Sequence, residues 1–110
     1  MVNVSSPFGS QARTRVLLAL RLLDESYPRA LARLLGVSLN GVQMAIRGLA
    51  RDGLIVARAA GRMQLVRLNP RYFARQDLQR YLLTLANADA ALTRRVASER
   101  RRPRRPGKPG

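Results

Sequence analysis

Neither cysteine nor histidine occurs in this chain. That excludes a Cys/His zinc site, a thiol switch and the imidazole on which hydrolase triads depend. Tryptophan is absent too, and the few aromatic residues, Phe8, Tyr27, Tyr72, Phe73 and Tyr81, are too scattered to form a base-stacking platform. They read as core or interface residues. Acidic residues number only six: Asp24, Glu25, Asp52, Asp77, Asp89 and Glu99. None falls in a motif with Ser, Thr or Lys that suggests catalysis. Asp24 and Glu25 read as the end of a first helix, and Asp77 as an acid in the first turn of a last one, where the helix dipole favours it. No glycine-rich phosphate loop is present, since "GVSLNG" lacks the Lys-Ser/Thr that would follow. The expectation is a protein that is not an enzyme and needs no metal or cofactor. No apolar run approaches the roughly 20 residues of a membrane span, and "MVNVSSPFGS" lacks the basic start and apolar centre of a signal peptide. A cytoplasmic protein with no membrane partner is expected.

What the chain has is arginine. Of 110 residues, 21 are Lys or Arg, for a net charge of +15, and Lys108 is the single lysine. Such charge favours a polyanion: DNA first, RNA second, an anionic membrane surface third. A merely solubilising surface is the plain alternative. With 46% apolar residues the chain is also long enough to bury a modest core as one domain.

Residues 1–9 read as an arm. Gly9 or Ser10 caps a helix running to about Glu25. Within Val16–Leu23 every residue but Arg21 is apolar, and a helix apolar on nearly all sides needs cover on nearly all sides. This suggests a second subunit. "SYPRALARLLG" gives a short second helix, with Pro28 in its first turn and Gly36 as the left-handed residue that ends it. Ser38 caps a third helix, Leu39 to about Asp52, and Gly53 stops it. The period then changes. Leu54–Ala59 and Met63–Leu68 flank a turn near Ala60-Gly61, which is a hairpin signal. Asn69-Pro70 reads as a cap followed by a first-turn proline, with helix again by Gln76. Leu78, Tyr81, Leu82, Leu85, Leu92 and Val96 keep helical spacing. From Arg100 the sequence "RRRPRRPGKPG" has no apolar residue and is expected to be disordered alone. The fold class is therefore mainly α with a small β-hairpin, divided as 10–70, a helical segment 71–99, and a basic tail 100–110.

At 100° per residue, Val42, Ala45, Ile46 and Leu49 share one face of the third helix. Asn40, Gln43, Met44, Arg47 and Arg51 share the opposite one. Asn and Gln pair with the edge of adenine and Arg with that of guanine, each through two hydrogen bonds, and an α-helix fits the major groove. A plain amphipathic core helix gives the same pattern, and Met44 either touches a thymine methyl or is idle. Gly41 and Gly48 lie on a flank, as if to admit a neighbouring backbone closely. The preceding residues Leu31, Ala32, Leu35, Gly36 and Val37 keep the spacing of a helix-turn-helix.

Residues 8–70 resemble the winged helix-turn-helix of ArsR-like or MarR-like bacterial regulators. "FGSQARTRVLLAL" is similar to the ArsR-type opening, with a buried or phosphate-facing arginine, here Arg15 or Arg13. "ALARLLGVSLNGVQMAIRGLARDGLI" resembles scaffold and recognition helices, and "ARAAGRMQLVRLNP" the wing. The resemblance implies Ser38, Asn40, Gln43, Met44 and Arg47 at the major groove, and Arg58 and Arg62 of the wing on phosphates or the minor groove. Metal sensors among ArsR proteins use Cys, His or acidic clusters; Cys and His are absent here.

The expected function is a sequence-specific double-stranded DNA-binding transcriptional regulator, a homodimer at the bacterial nucleoid, with no effector legible. Its dimer interface is expected at Val16, Leu20, Leu78, Tyr81, Leu82 and Leu85. The tail residues Arg100, Arg101, Arg102, Arg104, Arg105 and Lys108 are expected to grip phosphates, or only to aid solubility. A nucleic-acid-coating or RNA-binding protein and a winged-helix protein-interaction module remain alternatives.

Overall fold

The computed structural model describes residues 8–101, with the side chains of Arg100 and Arg101 left aside. Helix α1 (Gln11–Leu23) starts where the Ser10 hydroxyl accepts the Arg13 backbone N–H at 3.1 Å. It ends at Asp24, whose φ of 72° and ψ of −48° lie in the strained γ-turn region that a non-glycine residue seldom occupies. A two-residue strand β1 (Glu25–Ser26) follows, then α2 (Pro28–Leu35) and α3 (Leu39–Arg51). Pro28 opens α2, and Gly36, at φ 66°, closes it by returning its N–H to the Ala32 carbonyl. Two residues later Ser38 accepts the Gly41 N–H at 3.0 Å and starts α3. The turn between the helices is thus set by a left-handed glycine and a serine cap, both local in origin.

Strands β2 (Ile55–Ala60) and β3 (Met63–Leu68) pair antiparallel from Ile55↔Leu68 to Ala60↔Met63. The turn proper is Gly61-Arg62, one residue later than expected. Its positive φ falls on Gly61 (62°) and not on Arg62, the pattern of a type II′ hairpin. Strand β1 joins the other edge of β3 through Glu25↔Arg67 and Ser26↔Val66, giving the order β1-β3-β2. Glu25 therefore belongs to the sheet, not to the first helix. Asn69 caps no helix. Its side-chain amide donates to the Gly53 carbonyl at 2.9 Å, and its oxygen accepts the Arg71 N–H at 2.9 Å. This stitches the exit of the wing to its entrance.

The C-terminal segment is two helices, α4 (Arg75–Asn87) and α5 (Ala90–Arg101). Asp77 does sit in the first turn of α4. The break falls at Ala88-Asp89, where the buried Asp89 carboxylate accepts the Leu92 N–H at 3.0 Å. Helix α5 runs two residues into the stretch read as tail, so Arg100 and Arg101 have helical backbone. Arg102, Arg104, Arg105 and Lys108 lie outside the described residues.

One core unites all of this. Leu17, Leu20, Leu31, Leu35, Val42, Leu49, Ile55, Val66 and Leu82 are at most 2% exposed, each stabilising the fold by about 1.5–3 kcal/mol. Leu78, Ala86, Leu92 and Val96 join the same cluster, so no packing boundary falls near residue 70. The expectation that α1 needs a second subunit is corrected here. Helices α2, α3, α4 and α5 and strand β3 all pack on it. Val16, Leu20, Leu78 and Leu82 are buried within the single chain, and none is free to meet a partner. Of the six interface residues expected, only Tyr81, exposed, and Leu85, half-buried, reach the surface.

Candidate nucleic-acid interface

Thirteen residues of α3 span roughly 20 Å at 1.5 Å per residue. Val42, Ala45, Ile46 and Leu49 are buried, while Asn40, Gln43, Met44, Arg47 and Arg51 are exposed. The two sets divide the helix as the sequence period required. The exposed five lie in a stripe about 100° wide at 3.6 residues per turn. Asn40 and Met44 touch along it, with Nδ2 3.9 Å from Sδ. Met44 is 58% exposed, which suits contact with something outside the chain better than core packing. At the helix start Ser38 is exposed, but its hydroxyl is engaged in the cap. Arg51 lies 3.9 Å from Asp52. Arg47 has no ion pair among the described residues.

The wing differs from expectation in one respect. Arg58 lies on the sheet face that carries Leu65, Arg67 and Glu25, and its guanidinium is 3.4 Å from the Glu25 carboxylate. That pair partly neutralises it. Arg62 sits exposed at the hairpin tip, with no ion pair among the described residues. The tip thus offers one uncompensated cation.

Two arginines foreshadowed as alternatives have separate and definite places. Arg13 reaches from α1 across Gly48 of α3, donating to the Phe8 carbonyl at 3.3 Å and to Asp52 at 3.5 Å. A Cβ built on Gly48 would lie 2.2 Å from Arg13 Nη2. The glycine therefore makes room for a side chain from the neighbouring helix, not for a backbone as expected. At Gly41 a Cβ would press on Ser38 Oγ and Val37 at 3.1 Å, tightening the cap. Arg15 is half-buried, turned toward the end of α2. It donates to the Leu35 carbonyl at 2.7 Å, while its Nε is buried without a partner. Desolvation, and then the nearby Arg95, hold its pKa below the usual arginine value against the opposing pull of Asp89. Arg95 itself donates to the Leu34 carbonyl at 3.1 Å. The last carbonyls of α2, beside the helix-turn-helix corner, are thus capped by cations from α1 and α5. The role of Arg95 was not legible in the sequence, because nothing local ties residue 95 to residue 34.

No protein-family model matches the chain, and no curated protein does. Among solved structures, it is similar to a homodimeric winged helix-turn-helix DNA-binding domain from Mycobacterium bovis, a possible ArsR-family transcriptional regulator. The TM-score is 0.54 at 22% identity, over 93% of this chain and 94% of that one. The fold is a winged helix-turn-helix. Within it, α2 is the scaffold helix, α3 occupies the place of the recognition helix, and β2–β3 is the wing. Helices α4 and α5 follow the wing and close back on α1. No helix among the described residues is long and apolar enough to cross a membrane, and no three acidic side chains group to hold a metal ion.

Proposed function

We propose that the protein is a sequence-specific double-stranded DNA-binding transcriptional regulator of the ArsR-like kind, working at the bacterial nucleoid. The observation that carries this reading is the α3 stripe. Asn40, Gln43 and Arg47 stand exposed on the helix that a winged helix-turn-helix offers to the major groove, opposite a fully buried face. Arg62 at the wing tip supports the flank with a phosphate or minor-groove contact. Arg58 adds to it once released from Glu25. Met44 would meet a thymine methyl, and Arg51 a phosphate near the end of the helix.

The neighbour is homodimeric, and we infer the same of this chain. With α1 filled by its own chain, the seam falls on the surface of α4. Tyr81 is 38% exposed, with the half-buried Leu85 one turn further along the same side of the helix and the Phe8 ring 5.9 Å from that of Tyr81. Two recognition helices would then read half-sites about 34 Å apart, one turn of DNA.

Selection of bound duplexes from a random pool tests the reading. A defined motif is expected, and Arg47→Ala or Gln43→Ala should weaken the best site by about 1–3 kcal/mol and relax preference at one base pair. An unselective pool, or a motif unchanged in both variants, would refute it. Equal affinity for random duplex and RNA at a stated salt concentration would favour the nucleic-acid-coating alternative instead.

A further inference from the structure

Behind the wing, a cleft of about 200 Å³ opens between the end of α1, the base of β3 and the start of α4. Arg21, Arg67 and Arg75 line it, together with Asp24, Leu68 and the edge of the buried Leu20. Three cations thus share a small concavity, and none of them has an ion pair among the described residues. Two acids lie near enough in the fold to have served. Asp24, on the cleft wall, pairs with none of the three. Glu25, the cross-strand neighbour of Arg67, is engaged by Arg58. Arg21 is held in place by the bond from its Nε to the Gln79 carbonyl, 3.1 Å long. Arg75 Nη1 makes a long 3.4 Å contact with the Pro70 carbonyl. Both keep further N–H donors for a ligand, since each guanidinium carries five.

We propose that this cleft binds a compact phosphorylated small molecule, its phosphate held by Arg21, Arg67 and Arg75. Guanidinium groups match phosphate oxygens bidentately, and a concave wall of one sign concentrates counter-ions more strongly than a flat surface does. The volume sets the ligand's size. It lies below the ~300–1,000 Å³ of pockets for drug-sized ligands, so the phosphate carries a small body, placed against the half-buried Leu68. The cleft also stands apart from the reading surface. Arg21 is about 12 Å along α1 from Arg13, which touches α3. Arg67 is about 17 Å along β3 from Arg62 at the wing tip. A ligand can therefore be bound while DNA is held, and the inference stands whether or not the DNA reading does.

The test is binding of inorganic phosphate and of ribose 5-phosphate to the full chain by calorimetry, at constant ionic strength with chloride as the reference. Saturable binding of either probe is expected. Arg67→Ala and Arg75→Ala should each weaken it about 10-fold or more, while Arg29→Ala, a charge-matched change at an exposed arginine of α2, should leave it unchanged. Should an alanine variant fail to fold, Arg67→Lys and Arg75→Lys keep the charge but lose the bidentate fork, and should still weaken binding several-fold. Binding that is not saturable, or that Arg29→Ala weakens equally, would assign the effect to the diffuse charge of the protein and overturn the proposal. It would be overturned too if neither free probe binds while both cleft variants make the salt dependence of duplex binding shallower by about 0.9 each; the phosphates would then be those of DNA.

Discussion

Replacing Gly48 by alanine should be nearly neutral or clearly stabilising depending on what occupies position 13. An alanine in place of glycine inside a helix stabilises by about 1 kcal/mol. In this protein the new Cβ would fall 2.2 to 2.8 Å from three atoms of the Arg13 guanidinium, the three atoms nearest to it. That group is the end of a flexible side chain, so it moves aside, and two interactions go with it. The Arg13–Asp52 pair, with side chains 24% and 50% exposed, is worth about 0.2–1 kcal/mol after solvent screening. The 3.3 Å bond to the Phe8 carbonyl adds about 0.5 kcal/mol, the low end for a long hydrogen bond. Gain and loss nearly cancel, so Gly48→Ala alone should change stability by less than about 1 kcal/mol. In an Arg13→Ala background nothing is displaced, and the same substitution should stabilise by the full ~1 kcal/mol. The double-mutant cycle then closes with a coupling of about 1 kcal/mol. Urea unfolding at fixed protomer concentration measures it, with m unchanged across the four proteins. A cycle additive to within about 0.3 kcal/mol would mean that Arg13 does not occupy the glycine notch, and would refute the account of Gly48.

Asp89→Ala should destabilise by about 1–2 kcal/mol through loss of the α5 cap, and Asp89→Asn by clearly less, since asparagine caps as well; chemical denaturation distinguishes them. Arg15→Met should fall within about 1 kcal/mol of the wild type, because methionine fills the space of the stem and removes both a buried unpaired Nε and the repulsion from Arg95. Arg15→Ala, which leaves a cavity, should cost about 2 kcal/mol. On light scattering, Tyr81→Glu and Leu85→Glu should shift a dimer to monomer with helix content retained; a dimer that persists would move the seam elsewhere. Ending the chain after Arg101 removes Arg102, Arg104, Arg105 and Lys108, so the slope of log affinity against log salt should become shallower by up to about 3.6 units per chain, with the preferred motif kept. An unchanged slope would assign the tail to solubility.

The parts of the fold written in short-range chemistry were legible in the sequence. Ser10, Pro28, Gly36 and Ser38 act within a few residues of themselves, and the structure places all four as their chemistry required. The face of α3 was legible for the same reason, since burial follows a single period. What was hidden depends on distant partners. Strand β1 is two residues with no period to detect; it exists because β3 lies beside it. Asp89 is a good capping residue, yet it sits among alanines that would otherwise continue a helix, so the break between α4 and α5 was masked. The misreading of α1 is the most instructive. An apolar surround says that a helix is covered but not by what, and its cover comes chiefly from α3 and from α4, the latter some sixty residues further along. The neighbour that Gly48 admits was hidden in the same way, because Arg13 lies on another helix.

The two arginine caps on α2 bear on whether the helix-turn-helix can stand apart from the rest of the chain. Arg15 precedes Leu35 by twenty residues, and Arg95 follows Leu34 by some sixty, yet both end on the carbonyls at the corner of α2. A graft carrying only residues 28–53 would leave those carbonyls to water and the α1-facing side of the helix pair bare. The motif is therefore not a portable cassette. Its angle is a property of the whole chain, and changes at either end of the sequence can re-aim the exposed face of α3 without touching it.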